Sequence, residues 1–532
     1  MSIDLIVASL PIVVLIWLMT KSQAVASHRA LPLVALMTYA AKLLWFADDP
    51  NLVNATVVQG LMEAWTPILI IWGAILLFKV MDASGAMATV RAWLDGISAN
   101  PVAQLMIIGW AFSFMIEGAS GFGTPAALAA PILVGLGFAP FKVAVLALIM
   151  NSVPVSFGAV GTPTWFGLGQ LGLAEAEIMA VSYNTALIHA VAALVIPLIA
   201  LSFVVPASKI RANLVYIYIA ILGCVLPYVL LARLSYEFPS LIAGMIGLVV
   251  AILAARLGLG LERAEAGDSA AEEASVPAGK LIRALFPIWA TVLVLVVTRI
   301  EQIGIKGALT DPTPLASLPL GSFGELGFTQ SLSIKLSGIF GSDIGWTFQT
   351  LYVPAFIPFL LVVLVSIPVL RMPVADFGAV WSDTAKRMVN TILALLGALV
   401  MVKLLMLGDE TSMVILIGDA FASATGQSWQ YLAPYLGALG SFFSGSATIS
   451  NLTFAGIQVS VARELGLDQT LILSLQSVGA AMGNMVCINN IVAVCSILGV
   501  AKQEGAILKR TIWPMLLYGV IAGVVGQLLV TI

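Results

Sequence analysis

Residues 117–125 read Glu117-Gly118-Ala119-Ser120-Gly121-Phe122-Gly123-Thr124-Pro125, and they interrupt an otherwise apolar run from about 102 to 138. A helix needs about 20 apolar residues to cross the hydrocarbon core. The run is too long for one crossing, and small polar residues break its middle. Irregular backbone at membrane depth is tolerated only where it is packed in protein or lines a wet cavity. The stretch therefore predicts two half-helices that enter the membrane and return on the same side. Pro125 suits the first turn of the second half-helix, where a missing N–H costs no bond. A second apolar run, about 430–463, is broken in the same way at Ser444-Gly445-Ser446-Ala447-Thr448.

The rest of the chain fits a membrane setting. Of its 532 residues, 60% are hydrophobic and 10% are charged, with a mean hydropathy of +1.06. A soluble chain carries about 25% charged residues, so most of this one does not face water. Candidate spans fall at about 4–19, 30–47, 58–80, 141–170, 179–205, 212–233 and 238–257, then at 281–300, 351–370, 388–407, 468–500 and 511–531. Those at 141–170 and 468–500 are too long for one straight helix and have Gly-rich centres. The reading is an all-α polytopic membrane protein of about twelve crossings plus two re-entrant helical hairpins.

Lys and Arg in short loops set orientation. Lys21, Arg29, Lys209, Arg211, Arg371, Lys386, Arg387, Lys502, Lys509 and Arg510 then share the cytoplasmic side. Asp48, Asp49, Glu175, Glu177, Glu464 and Asp468 fall outside, as do both termini. The first apolar run lacks a basic leader and reads as a membrane helix, not a cleaved signal.

The halves match at a nearly constant offset. Gly73 to Lys79 faces Gly397 to Lys403, Ser120 to Thr124 faces Ser444 to Thr448, and Asn151-Ser152-Val153 faces Gln476-Ser477-Val478. With the orientation above, the first hairpin opens from inside and the second from outside, so the repeats are inverted, a transporter architecture. The expected organisation is N-terminal helices at 1–50, a first repeat at 51–258 with its hairpin at 102–138, and a cytoplasmic linker at 259–280. Linking helices with an external, partly structured loop at 301–350 follow in 281–370, and a second repeat occupies 371–532 with its hairpin at 430–463. Segments at about 81–94 and 411–424 read as helices lying along the interface.

A broken helix frees backbone N–H and C=O groups, and the N-terminus of a half-helix favours an anion. Ser120, Gly121, Gly123 and Thr124 at one tip, and Ser444, Gly445, Ser446, Thr448 and Asn451 at the other, are the candidate substrate ligands. The broken spans add Asn151, Ser152, Gly161 and Thr162 on one side, and Ser477, Asn484, Asn489 and Asn490 on the other. Small residues also serve close helix packing, but four Asn or Gln side chains at mid-membrane cost too much for packing alone. Glu117, beside the first tip, is a candidate proton carrier or a structural acid. His189 is a second candidate for a coupled proton, or a hydrogen-bonded structural residue. Lys79 and Lys403 either meet a substrate carboxylate or mark helix ends and snorkel to the interface.

No nucleophile–base pair stands out, so an enzyme is not expected. No GxxxxGK[ST] loop is present, which argues against a self-contained pump driven by nucleotide. The three cysteines, Cys224, Cys487 and Cys495, lie in apolar stretches as packing residues, and His28 and His189 lie far from any zinc pattern. No cofactor or nucleic-acid partner is expected. A secondary carrier and a channel remain open on these grounds.

The run from Glu117 to Pro125, continuing to Pro131-Ile132-Leu133-Val134-Gly135-Leu136-Gly137-Phe138, resembles the first signature of the lactate permease family. Gly483-Asn484-Met485-Val486-Cys487-Ile488-Asn489-Asn490-Ile491-Val492 resembles its second. The resemblance covers nearly the whole chain. It implies proton-coupled uptake of L-lactate, with D-lactate and glycolate as related substrates, across a bacterial plasma membrane. A sodium-coupled version stays open, and a homodimer is among the allowed states. The paired tips are also similar to those of a broader ion-transporter superfamily, which implies an elevator-type transport domain. Where the family has Gly-Ser-Asn-Thr at the second tip, this chain has Gly445-Ser446-Ala447-Thr448, which removes an amide from the expected site.

Overall fold

A computed structural model of the chain describes residues 2–20, 25–121, 124–262, 276–299, 303–353, 356–408, 412–500 and 503–531. It is mostly helical and divides into two compact units, each made of two chain segments. One holds Met1–Ala86 and Arg283–Ser423, the other Met87–Ile282 and Ala424–Ile532. The spatial division therefore cuts across the chain-order scheme of 51–258 and 371–532: each expected repeat gives its opening helices to the first unit and its hairpin to the second.

Among the described residues, eight helices are long and apolar enough to cross a membrane, and the number rises to as many as ten if each of two bent pairs is one span. Ile3–Met19 and Ile357–Val369 are shorter apolar helices.

In the first unit, Pro50–Glu63 and Trp65–Ala83 pack on the 33-residue helix Val374–Met406. Asp49 starts the first of these by accepting Asn51 N–H at 3.1 Å, with Pro50 at the first helical position. At Gly60 an added Cβ would lie 2.8 Å from Val400 Cα, so only glycine permits this crossing. Lys79 pairs with Asp383, and Lys403 with Glu63 at 3.3 Å. Along the chain Glu63 precedes Lys79, while its partner Lys403 follows Asp383, so the two ion pairs run the stretches 50–83 and 374–406 antiparallel. The span expected at 388–407 is only the second part of the long helix. Asp376, Asp383, Lys386 and Arg387 made its beginning look like a loop.

The expectation of an all-α chain is overturned in the loop after residue 303. Four strands, β1 (Pro314–Pro319), β2 (Glu325–Thr329), β3 (Ile334–Ser337) and β4 (Trp346–Phe348), form an antiparallel meander in the order β1-β2-β3-β4. Leu326 faces Leu336, which faces Trp346. Gln59 ties the meander to its unit by donating to Gly345 O at 2.9 Å. The strands are short, β1 is exposed throughout, and Gly, Ser and Pro dilute the alternation that marks a strand.

In the second unit the first hairpin runs through Pro101–Gln104, a π-helical stretch Leu105–Phe112, Ser113–Ser120, and the return helix Thr124–Gly135. Asn100 caps its start by accepting the N–H groups of Val102 and Ala103. The second hairpin is Trp429–Ser444 followed by Ala447–Leu465. The partner spans are also interrupted. Pro140–Met150 and Pro154–Leu171 meet at 61°. Gln469–Gly483 passes through a 3-10 turn, Asn484–Val486, and an extended Cys487 (ψ 125) before Ile488–Ile497. Residues 263–275 of the expected linker lie outside the described residues, and the flanking helices end at Arg256 and restart at Ala278.

Candidate functional site

Both tips are breaks in the helical backbone. The first half-helix ends at Ser120, and Gly121 turns out of it with φ 62 and ψ −157. Its N–H still reaches Glu117 O at 2.9 Å. At the second tip Gly445 is left-handed, with φ 74, and Ser446 is extended. Glycine occupies both positive-φ positions because a side chain there would be strained. Ser446 caps the following helix by accepting Ile449 N–H at 3.3 Å, while Ser444 Oγ accepts Ser446 N–H at 3.2 Å. Ala447 and Thr448 are then the first residues of a 19-residue helix, whose opening N–H groups have no acceptor within the helix.

The broken span beside the first hairpin carries the most unusual backbone. Ala159, Val160 and Gly161 all have positive φ, at 46, 55 and 72. A left-handed β-branched residue costs about 1–3 kcal/mol and persists only where its surroundings hold it. Side chains hold it here. Ala159 O accepts from Thr162 Oγ1 at 2.5 Å, and Val160 O from Trp165 Nε1 at 3.0 Å. Ser156 O accepts from Thr164 Oγ1, Pro154 O from Ser240 Oγ, and Val153 O from Tyr228 OH. Pro163 O accepts from Asn451 Nδ2 at 2.9 Å, which ties the second hairpin to this span. The carbonyls freed by the break are thus bonded inside the protein, as burial in lipid requires.

Both tips and both broken spans line one small cavity of about 20 Å³, room for about one water. Its polar side chains are Glu117, Ser446, Thr448 and Asn484. Gly121, Gly158 and Gly445 give it bare backbone, and Val155, Ala159, Pro163 and Ala447 give it carbon. Among the described residues that line it, Glu117 is the one titratable group, and no lysine, arginine or histidine is with it. Glu117 is buried. Asn151 Nδ2 donates to its Oε2 at 3.1 Å, and a Cβ on Gly158 would lie 2.5 Å from Oε1. Asn151 Oδ1 is buried and has no partner in the protein.

Of the residues expected from sequence, Glu117, Gly121, Gly445, Ser446, Thr448 and Asn484 meet at this cavity. Gly123 lies outside the described residues, and Thr124 opens the return helix. The others hold the framework. Ser120 Oγ donates to Ile116 O, Ser152 Oγ to Ile149 O, and Ser444 Oγ to Gly440 O. Thr162 and Asn451 stabilise the broken span as described, and Asn490 Nδ2 donates to Asn484. Asn489 is exposed and packs beside Gly445.

Ser477 joins a buried chain that reaches His189. Ser156 Oγ donates to Ser477 O at 3.1 Å and accepts from Ser477 Oγ at 3.0 Å. Ser156 Oγ is also hydrogen-bonded to His189 Nε2 at 2.9 Å. His189 Nδ1 is hydrogen-bonded to Tyr518 OH at 2.5 Å. Both imidazole nitrogens are thus hydrogen-bonded inside the protein. Lys79 and Lys403, paired in the other unit, are not among the residues that line the cavity.

Sequence reasoning passed over Val155, Ser156, Ala159, Pro163 and Tyr518. The clustered Gly and Pro of Gly158-Ala159-Val160-Gly161-Thr162-Pro163 carried a signal for Ala159 and Pro163. A tyrosine within an apolar helix, whose hydroxyl needs a buried partner, carried one for Tyr518. No group of three or more His, Cys, Asp or Glu that could hold a metal ion occurs among the described residues.

The family model described as L-lactate permease matches residues 4–532. A Haemophilus influenzae protein named as an L-lactate permease is 50% identical over 528 residues, covering 99% of each chain. An L-lactate permease of Escherichia coli strain K12 is 24% identical over 550 residues, covering 98% of this chain and 95% of its own. A glycolate permease of the same strain is 23% identical over 488 residues, covering 87% of this chain and 84% of its own.

Proposed function

The chain belongs to the L-lactate permease family, and from that we propose that it takes up L-lactate, with D-lactate and glycolate as lesser substrates, in symport with a proton carried by Glu117. It is a multi-pass protein of the bacterial plasma membrane. The names of its relatives support a small 2-hydroxy acid as the substrate. The opening N–H groups at Ala447 and Thr448, with the Thr448 hydroxyl and the Asn484 amide, suit its carboxylate.

One observation carries the coupling: among the described residues, Glu117 is the titratable residue lining the cavity, and no cation accompanies it. A substrate carboxylate at the tips would sit beside this acid. Two negative charges 4 Å apart repel by about 4 kcal/mol at an effective dielectric of 20, close to a thousandfold in binding. Substrate and proton therefore bind together or not at all. A neutral Glu117 also gains an O–H donor, and turning the Asn151 amide over would offer it the buried, unpartnered Oδ1 as acceptor.

The cavity admits about one water, so a hydroxy acid enters only when a tip withdraws. The hairpins serve as gates, one toward each side of the membrane, within an inverted repeat of about twelve crossings. The unit that holds the cavity is the carrier body of an elevator-type cycle.

The test is uptake of radiolabelled L-lactate into proteoliposomes of the purified chain. An imposed inward proton gradient should drive saturable accumulation, and replacing sodium by choline should leave it unchanged. Absence of 2-hydroxy acid uptake under either gradient direction rejects the proposal. Uptake without saturation or coupling indicates a channel, and sodium dependence moves the coupling ion.

A further inference from the structure

The cavity has a continuous apolar side. Val155, from the 3-10 turn of the first broken span, packs in one cluster with Ala447, Ala480 and Ala481. Val155 and Ala447 also line the cavity. Ala447 is the first residue of its helix and directly follows the cap Ser446. A carboxylate held by the opening N–H groups of that helix therefore presents its second carbon to the Ala447 methyl and, across the contact, to Val155. Ala159 and Pro163 add carbon to the lining outside this cluster, and the polar side chains, Glu117, Ser446, Thr448 and Asn484, suit the carboxylate and the hydroxyl.

We infer that the Val155–Ala447 wall reads the alkyl substituent on the second carbon of the substrate. The inference rests on the transport reading above and goes past it by assigning a specificity-determining pair. Lactate places a methyl group on the wall, glycolate places none, and a 2-hydroxybutanoate must fit one carbon more. The wall is built from small side chains with Ala480 and Ala481 behind it, so a change of one or two carbons at either position changes the space directly. One methylene in an apolar pocket discriminates by about 10- to 200-fold.

The experiment compares kcat/KM for L-lactate, glycolate and 2-hydroxybutanoate in proteoliposomes, for the unaltered chain, Ala447→Val and Val155→Ala. Ala447→Val should lower the lactate-to-glycolate ratio by about tenfold or more, because added carbon displaces the methyl group. Val155→Ala, which adds space, should raise 2-hydroxybutanoate relative to lactate. Transport by the unaltered chain with both ratios unchanged in the variants overturns the wall assignment and leaves the transport reading standing. Equal loss of all three solutes in Ala447→Val, together with an unchanged ratio in Val155→Ala, overturns it too. No transport of any solute by the unaltered chain overturns the transport reading itself. Should Ala447→Val not reach the membrane, Val155→Ala decides alone.

Discussion

Asn151 donates through Nδ2 to the Glu117 carboxylate at 3.1 Å, joining the first broken span to the last turn before the first tip. Both residues are buried. The contact holds the acid at the cavity wall without cancelling its charge, as a lysine or arginine would. Glu117→Gln keeps the shape and removes the exchangeable proton. Proton-driven accumulation of lactate should fall to background, while exchange of labelled for unlabelled lactate persists. Accumulation that survives in Glu117→Gln would place the proton elsewhere.

Thr448 tests the anion end of the cavity. A hydrogen bond to a charged group contributes about 1.5–3 kcal/mol, which corresponds to about 10- to 100-fold in affinity. Thr448→Val should raise the apparent KM for lactate by that factor, with the protein still folded and in the membrane. An unchanged KM would separate the second tip from the substrate.

His189 is bonded at both ring nitrogens, to Ser156 and Tyr518, and Tyr228 lies against its ring. A structural bridge bonded at both ends predicts two outcomes. His189→Gln should leave the pH profile of uptake where it is. His189→Ala, which takes the partner from the buried Tyr518 hydroxyl while Ser156 keeps its bonds to Ser477, should lower stability by about 1–3 kcal/mol, read from thermal unfolding in detergent. A pH profile that loses a titration in His189→Gln would make the ring a proton carrier.

Lys79 pairs with Asp383, and both side chains are partly open, at 27% and 46% exposure. Such pairs contribute about 0–1 kcal/mol. Lys79→Met should therefore cost less than about 1 kcal/mol in unfolding and should leave the KM for lactate unchanged. A large rise in KM would bring this lysine back to the substrate.

The legible parts of the chain were those governed by the chemistry of lipid. Apolar runs, the Gly and Ser interruptions at Ser120-Gly121 and Ser444-Gly445, and the excessive length of the span at 141–170 all follow from the need to satisfy backbone groups where there is no water. The meander at 314–348 was not legible, because short strands diluted by Gly and Ser do not show an alternating pattern. The first part of Val374–Met406 was hidden as well, since its charged residues look like a loop when the neighbouring helices are not known.

The candidate site divides along the same line. By itself the sequence determined that two breaks exist, that small and hydroxyl-bearing residues occupy them, and that one acid stands beside the first. Tertiary structure decided which of those residues face the cavity and which serve the backbone. Ser152, Thr162, Asn451 and Asn484 are alike in polarity, yet Asn484 lines the cavity while the other three bond to carbonyls. The physical reason is that a buried polar group must find a partner. Whether that partner is a neighbouring carbonyl or a passing solute depends on which chain segments, hundreds of residues apart, fold against it.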